Sequence, residues 1–384
     1  MERTDIIFPR PFMNIVVILP TYNERENIIS LLDKLSGLIY LIKNHSVSFL
    51  VADDMSPDGT ADLVKKYRKT HKNVYCISGK KEGLGKALLR AMTYAVYTLH
   101  ADVIVQMDAD LSHDPEKFPL FIKAIDDGAD FSVGSRYIKG GSIPQNWGIH
   151  RKIFSVVGNA IVRYGLGYPS IHDWTGGYRA FKKRFFEEAK DEMKAYSGYV
   201  FQIAFLHKAV QRKAKVVEIP FHFTDRLYGK SKIAPFQYIK NVLEYVVKAR
   251  MGDILHGSFG KFVVVGTIGF IINTVILIGL KQLGIHPAFG SAIGAECAII
   301  SNFFLNNAWT FHDRKVVGKK MFGKFIQFNT TSVGAIIIQS STVFIGTFVF
   351  GISAYFISYM FGVGLGLIWN YWMYSKVIWK KSVM

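Results

Sequence analysis

Two kinds of hydrophobic pattern divide this chain. In residues 1–235, short continuous apolar runs alternate with segments whose apolar residues recur every three or four positions. The runs predict strands buried on both faces, and the intervening segments predict amphipathic helices. Strands that alternate with helices form a mostly parallel sheet with right-handed crossovers. The pattern therefore predicts an α/β domain over residues 1–235.

Polar or acidic residues follow three of the predicted strands. The junctions are Ile15–Leu19 before Pro20-Thr-Tyr-Asn-Glu24, Val47–Ala52 before Asp53, and Val103–Met107 before Asp108 and Asp110. Open α/β sheets bind their ligands at the carboxyl ends of the strands. Side chains two positions apart on an extended chain point the same way, so Asp108 and Asp110 can reach one cation. Carboxylate oxygens suit Mg²⁺ or Mn²⁺ held against a diphosphate.

The last third of the chain has a different composition. No charged residue occurs from Phe325 to Ser375, and only three occur from Phe259 to Phe311. Four apolar segments approach or exceed the ~20 residues that cross ~30 Å of bilayer hydrocarbon. They are residues 262–280, 288–308, 325–350 and 355–374. We therefore predict an all-α membrane domain of four transmembrane helices, in two hairpins, over residues 257–384.

The charges between these segments predict their orientation. The loop from His312 to Lys324 is strongly basic and the C-terminal tail adds three lysines, whereas the other two connections hold only Lys281. Short basic loops stay in the cytoplasm. The run before Pro20 is too short for a signal peptide. We therefore expect a multi-pass cell-membrane protein whose first domain, middle loop and C-terminus are cytoplasmic.

The two predicted hairpins resemble each other. Phe259-Gly-Lys-Phe262 recurs as Phe322-Gly-Lys-Phe325, and the second helix of each hairpin carries an asparagine followed by aromatic residues. This indicates a repeated two-helix unit. Glu296 lies inside the second predicted span, where a carboxylate is costly. It is either a functional lipid or proton site, or a neutral acid that hydrogen-bonds to a neighbouring helix.

Residues 236–256 connect the two parts as an amphipathic helix or linker. Apolar residues share one side of this predicted helix: Phe236, Ile239, Leu243, Val246 and Val247. That side either lies in the headgroup plane of a membrane or packs on the α/β domain. The sequence leaves both possibilities open.

The overall charge narrows the choice of partners. The chain has 47 Lys+Arg against 29 Asp+Glu, a formal net charge of +18. Such a balance fits nucleic acid, an anionic membrane surface or phosphorylated substrates. We find no nucleic-acid motif, and the two cysteines give no disulfide framework. Carboxylates suited to a metal, together with basic loops ahead of a membrane, favour phosphorylated substrates.

Six motifs resemble those of glycosyltransferase family 2, specifically the dolichyl- or polyprenyl-phosphate mannose synthases. They are Pro20-Thr-Tyr-Asn-Glu24, Asp53-Asp-Met-Ser-Pro-Asp-Gly59, Asp108-Ala-Asp-Leu-Ser-His113, Gly134-Ser-Arg-Tyr137, Gly198-Tyr-Val-Phe-Gln202 and Asp225-Arg-Leu-Tyr-Gly-Lys-Ser-Lys232. The membrane part resembles the small four-helix GtrA-like family. The resemblance implies a Rossmann-like GT-A catalytic domain. It also implies inverting transfer of mannose from GDP-mannose to dolichyl phosphate at the cytoplasmic membrane face, giving dolichyl β-D-mannosyl phosphate and GDP.

The resemblance also implies roles for individual residues. Nucleotide-sugar binding is implied for Pro20, Tyr22, Glu24, Val51, Asp53, Asp108, Ala109, Asp110, Arg136, Arg226 and Lys232. Contact with the acceptor phosphate is implied for Arg136, Arg151, Ser155, Arg226 and Lys232. Asp108 and Asp110 are the implied metal ligands, with Ser112 as a candidate third where some archaeal relatives carry Gln. Asp110 and Arg136 are the implied catalytic residues.

Two other functions remain open on the sequence. Because nucleotide-sugar enzymes make few base-specific contacts, a polyprenyl-phosphate glucosyltransferase that uses UDP-glucose is the nearest alternative. From a different class, the chain could be a lipid-linked sugar flippase with a soluble regulatory domain, although the acidic motifs would then lack a purpose. A processive polysaccharide synthase is disfavoured, since no Gln-x-x-Arg-Trp segment precedes the membrane part.

Overall fold

The computed structural model describes residues 12–225 and 235–380. They form two compact units that divide between Ala249 and Arg250. The first unit combines strands and helices, and the second is helical throughout its described residues. The division falls inside one continuous helix, Pro235–His256, which covers the segment predicted to connect the two parts.

A seven-stranded sheet forms the centre of the first unit. Its strands are β1 (Asn14–Thr21), β2 (Ser46–Asp53), β3 (Val74–Ser78), β4 (Val103–Gln106), β5 (Phe131–Ser135), β6 (Arg179–Lys182) and β7 (Val216–Pro220). The strand order is β3-β2-β1-β4-β6-β5-β7. All neighbouring strands run parallel except β6, which is antiparallel to both β4 and β5. The predicted mostly parallel sheet is confirmed, and β6 is a strand that the hydrophobic pattern did not predict.

Helices cover both faces of this sheet. They are α1 (Ile28–Gly37), α2 (Thr60–Tyr67), α3 (Leu84–Tyr97), α4 (Phe118–Asp126), α5 (Ile149–Gly165), α6 (Lys183–Met193), α7 (Gly198–Gln211) and α8 (Pro235–His256). Side chains alternate between the faces of a strand, so β1 contributes to two cores. Val16 and Ile18 belong to the core with α3, α6 and α7, and Ile15 and Val17 belong to the core with α1 and α4.

Helix α8 packs on the first unit through part of its surface. Val242, Tyr245 and Val246 are buried, and the Tyr245 hydroxyl lies 2.9 Å from Nδ1 of His207 on α7. Leu243 and Val247, which we placed on the contact side, are instead exposed. The face of α8 that packs on the first unit is therefore centred about one position earlier than the predicted apolar side, and the alternative that this side lies in the headgroup plane stays a prediction.

The second unit consists of two helical hairpins. Its helices are α9 (Ser258–Gln282), α10 (Pro287–Leu305), α11 (Lys320–Phe350) and α12 (Tyr355–Met373). Among the described residues, α9 and α11 are long and apolar enough to cross a membrane. Small residues bring the helices of each hairpin together: Gly294 of α10 lies against Asn273 of α9, and Gly334 of α11 lies against Trp369 of α12.

The two hairpins end in the same way. A π-helical turn follows the second helix of each, at Asn306–Thr310 and at Tyr374–Ile378. Phe311 and Trp379 come directly after these turns and stack on each other with ring centroids 4.7 Å apart. Glu296 is exposed on α10 within this unit, and both interpretations of its role stay predictions.

The Phe181 ring is a central part of the larger core, and its removal should destabilise the first unit. It stacks on Phe131 at 5.1 Å and meets Phe205 of α7 at 4.8 Å. We expect Phe181→Ala to cost about 3–5 kcal/mol, because a buried aromatic is replaced by a cavity. Thermal unfolding of the purified full chain measures the effect. Tyr40→Ala, at a 71% exposed ring, is the control; equal melting temperatures for the two variants would contradict the assignment.

Candidate active site

The carboxyl ends of β1 and β4 lie side by side at the point where the strand order reverses. From β1 the chain continues to β2 and β3 on one side, and β4 occupies the other side of β1. A crevice at such a switch point is the usual ligand site of an open α/β sheet. The predicted nucleotide-binding residues Pro20 and Val51 lie at neighbouring strand ends, where Pro20 pairs with Ala52 and Leu19 pairs with Val51.

Asp53, a predicted nucleotide-binding residue, ends β2 at one side of the crevice. Its buried carboxylate accepts hydrogen bonds from the Thr21 hydroxyl at 2.9 Å and from the Ser56 N–H and hydroxyl at 2.8 and 2.6 Å. Glu24 accepts a hydrogen bond from Asn27 at 2.8 Å. The Thr21 bond joins the ends of β1 and β2, whereas the Ser56 and Asn27 bonds each order one of the two following loops.

Tyr22 has a cationic neighbour that sequence reasoning missed. The Lys81 ammonium group lies 3.4 Å from the centroid of the Tyr22 ring, within cation–π distance. Lys86, at the start of α3, is paired with Glu82 at 2.8 Å on the exposed surface.

Asp110 is held in place by the residue we considered as a third metal ligand. Its Oδ1 atom accepts hydrogen bonds from the Ser112 N–H at 3.1 Å and the Ser112 hydroxyl at 2.6 Å. Leu111 between them has a φ of 62°, a left-handed conformation that is unusual for a non-glycine residue. This turn bends the chain back so that Ser112 reaches the carboxylate. In this arrangement Ser112 orients Asp110.

His113 supports the other carboxylate, Asp108. The Asp108 N–H donates to Nδ1 of His113 at 3.0 Å, so the neutral ring carries its hydrogen on Nε2, 3.8 Å from Asp108 Oδ2. The ring is buried and stacks on Tyr178. Burial lowers the pKa of His113, and the charges of Asp108 and Asp110 oppose that shift. We did not predict this role, although a histidine so close to the acidic pair was a visible signal.

The acidic turn fits a divalent cation that is only partly ligated by protein. The described residues contain no group of three or more His, Cys, Asp or Glu side chains suited to a metal ion. Asp110 is buried, whereas the Asp108 side chain is 37% exposed toward the crevice. Two carboxylates of this kind suit Mg²⁺ or Mn²⁺, whose remaining positions are taken by phosphate oxygens and water.

Arg136, at the end of β5, is anchored by a buried aspartate that sequence reasoning did not single out. Arg136 donates to Asp173 through Nε at 2.7 Å, Nη2 at 2.8 Å and the backbone N–H at 3.1 Å. Burial raises the pKa of Asp173. The positive charge of Arg136 and the hydrogen bonds that Asp173 accepts outweigh the effect of burial, so the pKa of Asp173 lies below its usual value. The carboxylate also accepts the Gly176 N–H at 3.1 Å.

Arg179 is fully buried and bonds to three backbone carbonyls. It donates to Trp174 at 2.9 Å, to Gly176 at 2.8 Å and to Gln202 at 2.5 Å. Burial lowers its pKa to about 9. Arg179 therefore ties the loop before β6 to the first turns of α7.

The predicted acceptor residues meet around three aromatic rings. Tyr137 follows Arg136 in the chain, and its hydroxyl lies 2.6 Å from the Ser155 hydroxyl. The Arg151 guanidinium lies 3.8 Å from the Trp147 ring and 3.4 Å from Asp225, to which the Trp147 indole also donates. Phe223 contacts both Trp147 and Arg136. Arg226 and Lys232 lie outside the described residues.

Beside these groups, α5 presents an apolar outer face. Its exposed side chains include Ile149, Ile153, Phe154, Val157 and Tyr164. Large apolar side chains grouped on a surface mark an interaction site. The structure therefore places Arg151 and Ser155 on a helix whose outer surface is compatible with lipid.

The fold and the site define a catalytic α/β unit joined to a helical membrane unit, and family models match both. A model of glycosyl transferase family 2 matches residues 16–189, and a model of the GtrA/DPMS transmembrane domain matches residues 261–379. The chain is 31% identical over 373 residues to a dolichol-phosphate mannosyltransferase of Pyrococcus furiosus, covering 96% of this chain and 99% of the relative. The chain therefore belongs to glycosyltransferase family 2, as predicted, with the GT-A fold and a transmembrane domain.

Other similar proteins match a smaller share of the chain. The chain is 37% identical over 230 residues to a polyprenol monophosphomannose synthase of Mycolicibacterium smegmatis, covering 59% of this chain and 83% of the relative. Among solved structures, a mannosyl-3-phosphoglycerate synthase of Rubrobacter xylanophilus aligns with a TM-score of 0.46 at 16% identity, covering 63% of this chain and 74% of that one. A mannosyltransferase of Pyrobaculum calidifontis, in complex with GDP-Man and Mn²⁺, aligns with a TM-score of 0.39 at 16% identity, covering 77% and 87%.

Removal of the Asp110 carboxylate should abolish glycosyl transfer. We expect Asp110→Ala to lower turnover by at least about 10²–10³-fold, the usual loss when a group that stabilises transition-state charge is removed. Asp62→Ala, at an exposed carboxylate on α2, is the matched control. Near-normal turnover of a well-expressed Asp110→Ala protein would refute the metal assignment.

Replacement of Asp173 should separate a positioning effect from a general loss of stability. Asp173→Asn leaves the Arg136 charge without its buried partner, so we expect a destabilisation of about 3–5 kcal/mol and lower activity in the protein that stays folded. The control is Asp130→Asn, because Asp130 pairs with Lys182 and Arg184 elsewhere in the fold. Thermal unfolding and activity per folded molecule are measured. Equal activity of the two variants would contradict the role of Asp173.

Proposed function

We propose that this chain transfers mannose from GDP-mannose to dolichyl or another polyprenyl phosphate, with inversion, at the cytoplasmic membrane face. The products are a polyprenyl β-D-mannosyl phosphate and GDP. The observation that carries the proposal is the dolichol-phosphate mannosyltransferase relative that aligns along nearly its whole length, membrane domain included. The acidic turn after β4 and the basic cluster around Arg136 support it.

The donor's diphosphate would lie against the acidic turn. Asp108 and Asp110 would hold Mg²⁺ or Mn²⁺, which when bound supplies a Lewis acid that neutralises the departing diphosphate. Ser112 and His113 keep the two carboxylates oriented before the donor arrives. Pro20, Tyr22, Glu24, Val51 and Asp53 would bind the base and ribose at the other end of the crevice.

The acceptor's phosphate would lie between Arg136, Arg151 and Ser155. A phosphate monoester is anionic near neutral pH, so the nucleophile needs no strong general base. The cations around it must hold the phosphate without suppressing its attack on the sugar. The Asp173 carboxylate offsets part of the Arg136 charge, which helps to meet this requirement. The apolar outer face of α5 gives the attached lipid a compatible neighbour.

The stereochemical outcome follows from a single displacement. The acceptor oxygen attacks the anomeric carbon from the face opposite the diphosphate, while the bond to the diphosphate breaks and the electron pair leaves with GDP. No covalent sugar–enzyme intermediate is required, so the configuration inverts. Catalysis then depends on in-line positioning and on charge. The basic loops of the second unit support a cytoplasmic location for the reaction, by the positive-inside rule.

A donor screen tests this proposal. The purified full chain is given labelled GDP-mannose or UDP-glucose with dolichyl or undecaprenyl phosphate, and glycolipid is measured. We expect product from GDP-mannose, loss of activity with a chelator, and recovery with Mg²⁺ or Mn²⁺. Product from UDP-glucose alone would identify a glucosyltransferase. The absence of glycolipid with any nucleotide sugar would favour the flippase class.

A further inference from the structure

A small space beside Asp108 is open because residue 177 is a glycine. A Cβ atom built at Gly177 would lie 3.4 Å from Oδ1 of Asp108, 3.5 Å from Cε1 of His113 and 3.7 Å from Nε2 of Gln202. We refer to the space bounded by these four residues as the Gly177 pocket. It adjoins the carboxylate that faces the crevice.

Gln202 lines this pocket with an amide that lacks a full set of hydrogen bonds. The residue is 3% exposed, and its Oε1 atom is buried with no hydrogen-bond partner among the described residues. Buried polar groups in folded proteins are nearly always hydrogen-bonded, and each exception calls for an explanation such as a missing ligand. The Nε2 atom of the same amide lies at the Gly177 pocket, so a ligand group bound there would lie beside the unpaired Oε1 atom.

The position of Gln202 is fixed by the buried Arg179. The Gln202 carbonyl accepts a hydrogen bond from Nη1 of Arg179, and the same guanidinium binds the carbonyls of Trp174 and Gly176. One side chain thus joins α7 to the loop that contains Gly177. This fixes the backbone of Gln202 next to the loop that contains Gly177 before any ligand binds, and a fixed backbone is what a recognition group requires.

The chemistry of the amide points to a sugar hydroxyl. A carboxamide offers one acceptor and two donor hydrogens, which match a hydroxyl that both donates and accepts. The carboxylates Asp108 and Asp110 already provide the charged oxygens that a divalent cation prefers. In a nucleotide sugar, the sugar is attached directly to the diphosphate. If the diphosphate lies at Asp108 and Asp110, the group next to the Gly177 pocket is therefore the sugar.

From these observations we propose that Gln202 hydrogen-bonds a hydroxyl of the transferred sugar in the Gly177 pocket and thereby selects the sugar. The inference rests on the proposed function, since it assumes a nucleotide-sugar donor at Asp108 and Asp110. It assigns Gln202 to substrate specificity, and Arg179 to positioning Gln202.

The test compares Gln202→Met, which keeps the side-chain length but removes both polar atoms, with the wild type on GDP-mannose and its four monodeoxy analogues. For the wild type we expect one deoxy donor to lose about 10- to 100-fold in kcat/KM, because a site built to bind a hydroxyl discriminates against its absence. With GDP-mannose, the kcat/KM of Gln202→Met should be lower than that of the wild type by the same factor. With that deoxy donor, kcat/KM of the variant should fall no further. If the effect of the mutation and the effect of removing a hydroxyl were additive for all four analogues, the inference would be overturned.

Binding measurements separate sugar recognition from metal ligation and from misfolding. Calorimetric titration with GDP and Mn²⁺ should give the same affinity for wild type and Gln202→Met, because GDP carries no sugar. A weaker affinity would identify Gln202 as a metal ligand and overturn the inference. Gln211→Met, at an exposed position at the end of α7, is the matched control.

Gly177→Ala provides an independent variant that should fold. The added methyl group meets its neighbours at ordinary van der Waals distances, so the melting temperature should be unchanged while the affinity for GDP-mannose falls at least about tenfold more than that for GDP. Equal effects on both ligands would count against the pocket. If the wild type instead uses UDP-glucose, the proposed function fails, and the same cycle with deoxy analogues of UDP-glucose still decides the role of Gln202.

Discussion

The active-site edge of the sheet depends on the ion pair between the buried Asp173 carboxylate and Arg136. The carboxylate binds Arg136 at the end of β5 through three hydrogen bonds and holds the N–H of Gly176 in the following loop. Glu218 on β7 in turn accepts the N–H groups of His172 and Asp173. A charge buried this deeply is tolerated only when it is paired and fully hydrogen-bonded. These bonds hold the loop between α5 and β6, which contains Gly177, against β5 and β7.

The residues that would contact substrate are each supported by a neighbour with a structural role. Ser112 orients Asp110, His113 supports Asp108, and Tyr137 contacts Ser155. A reaction that needs no general base depends on the placement of charges, and an error of a fraction of an ångström is costly. The supporting contacts explain why so many polar groups in this part of the unit are buried.

The second unit and helix α5 of the first unit both expose apolar surface. The second unit has helices of membrane-spanning length and composition, and α5 exposes several large apolar side chains beside Arg151 and Ser155. A water-soluble acceptor would require neither feature. A phosphate attached to a long hydrocarbon chain accounts for both, since its head is anionic and its tail avoids water.

The sequence by itself determined the parallel strands, the acidic turn at Asp108 and Asp110, and the apolar segments of the second unit. These features depend on local periodicity or on neighbouring residues, which a linear pattern records. Helix α7 escaped prediction because residues 200–206 are buried on every side, which removes the amphipathic signal. β6 is too short and too polar at its ends to form a hydrophobic run.

Only the tertiary structure decided which distant residues meet. Asp173 reaches Arg136, and Gly177 comes close to both Asp108 and Gln202, because an antiparallel strand is inserted between β4 and β5. Arg179 donates hydrogen bonds to three backbone carbonyls. A single arginine at the start of a strand does not predict these bonds from sequence. The physical reason is that burial and hydrogen bonding between distant segments depend on how the chain closes, whereas hydrophobic periodicity depends on the chain's immediate neighbourhood.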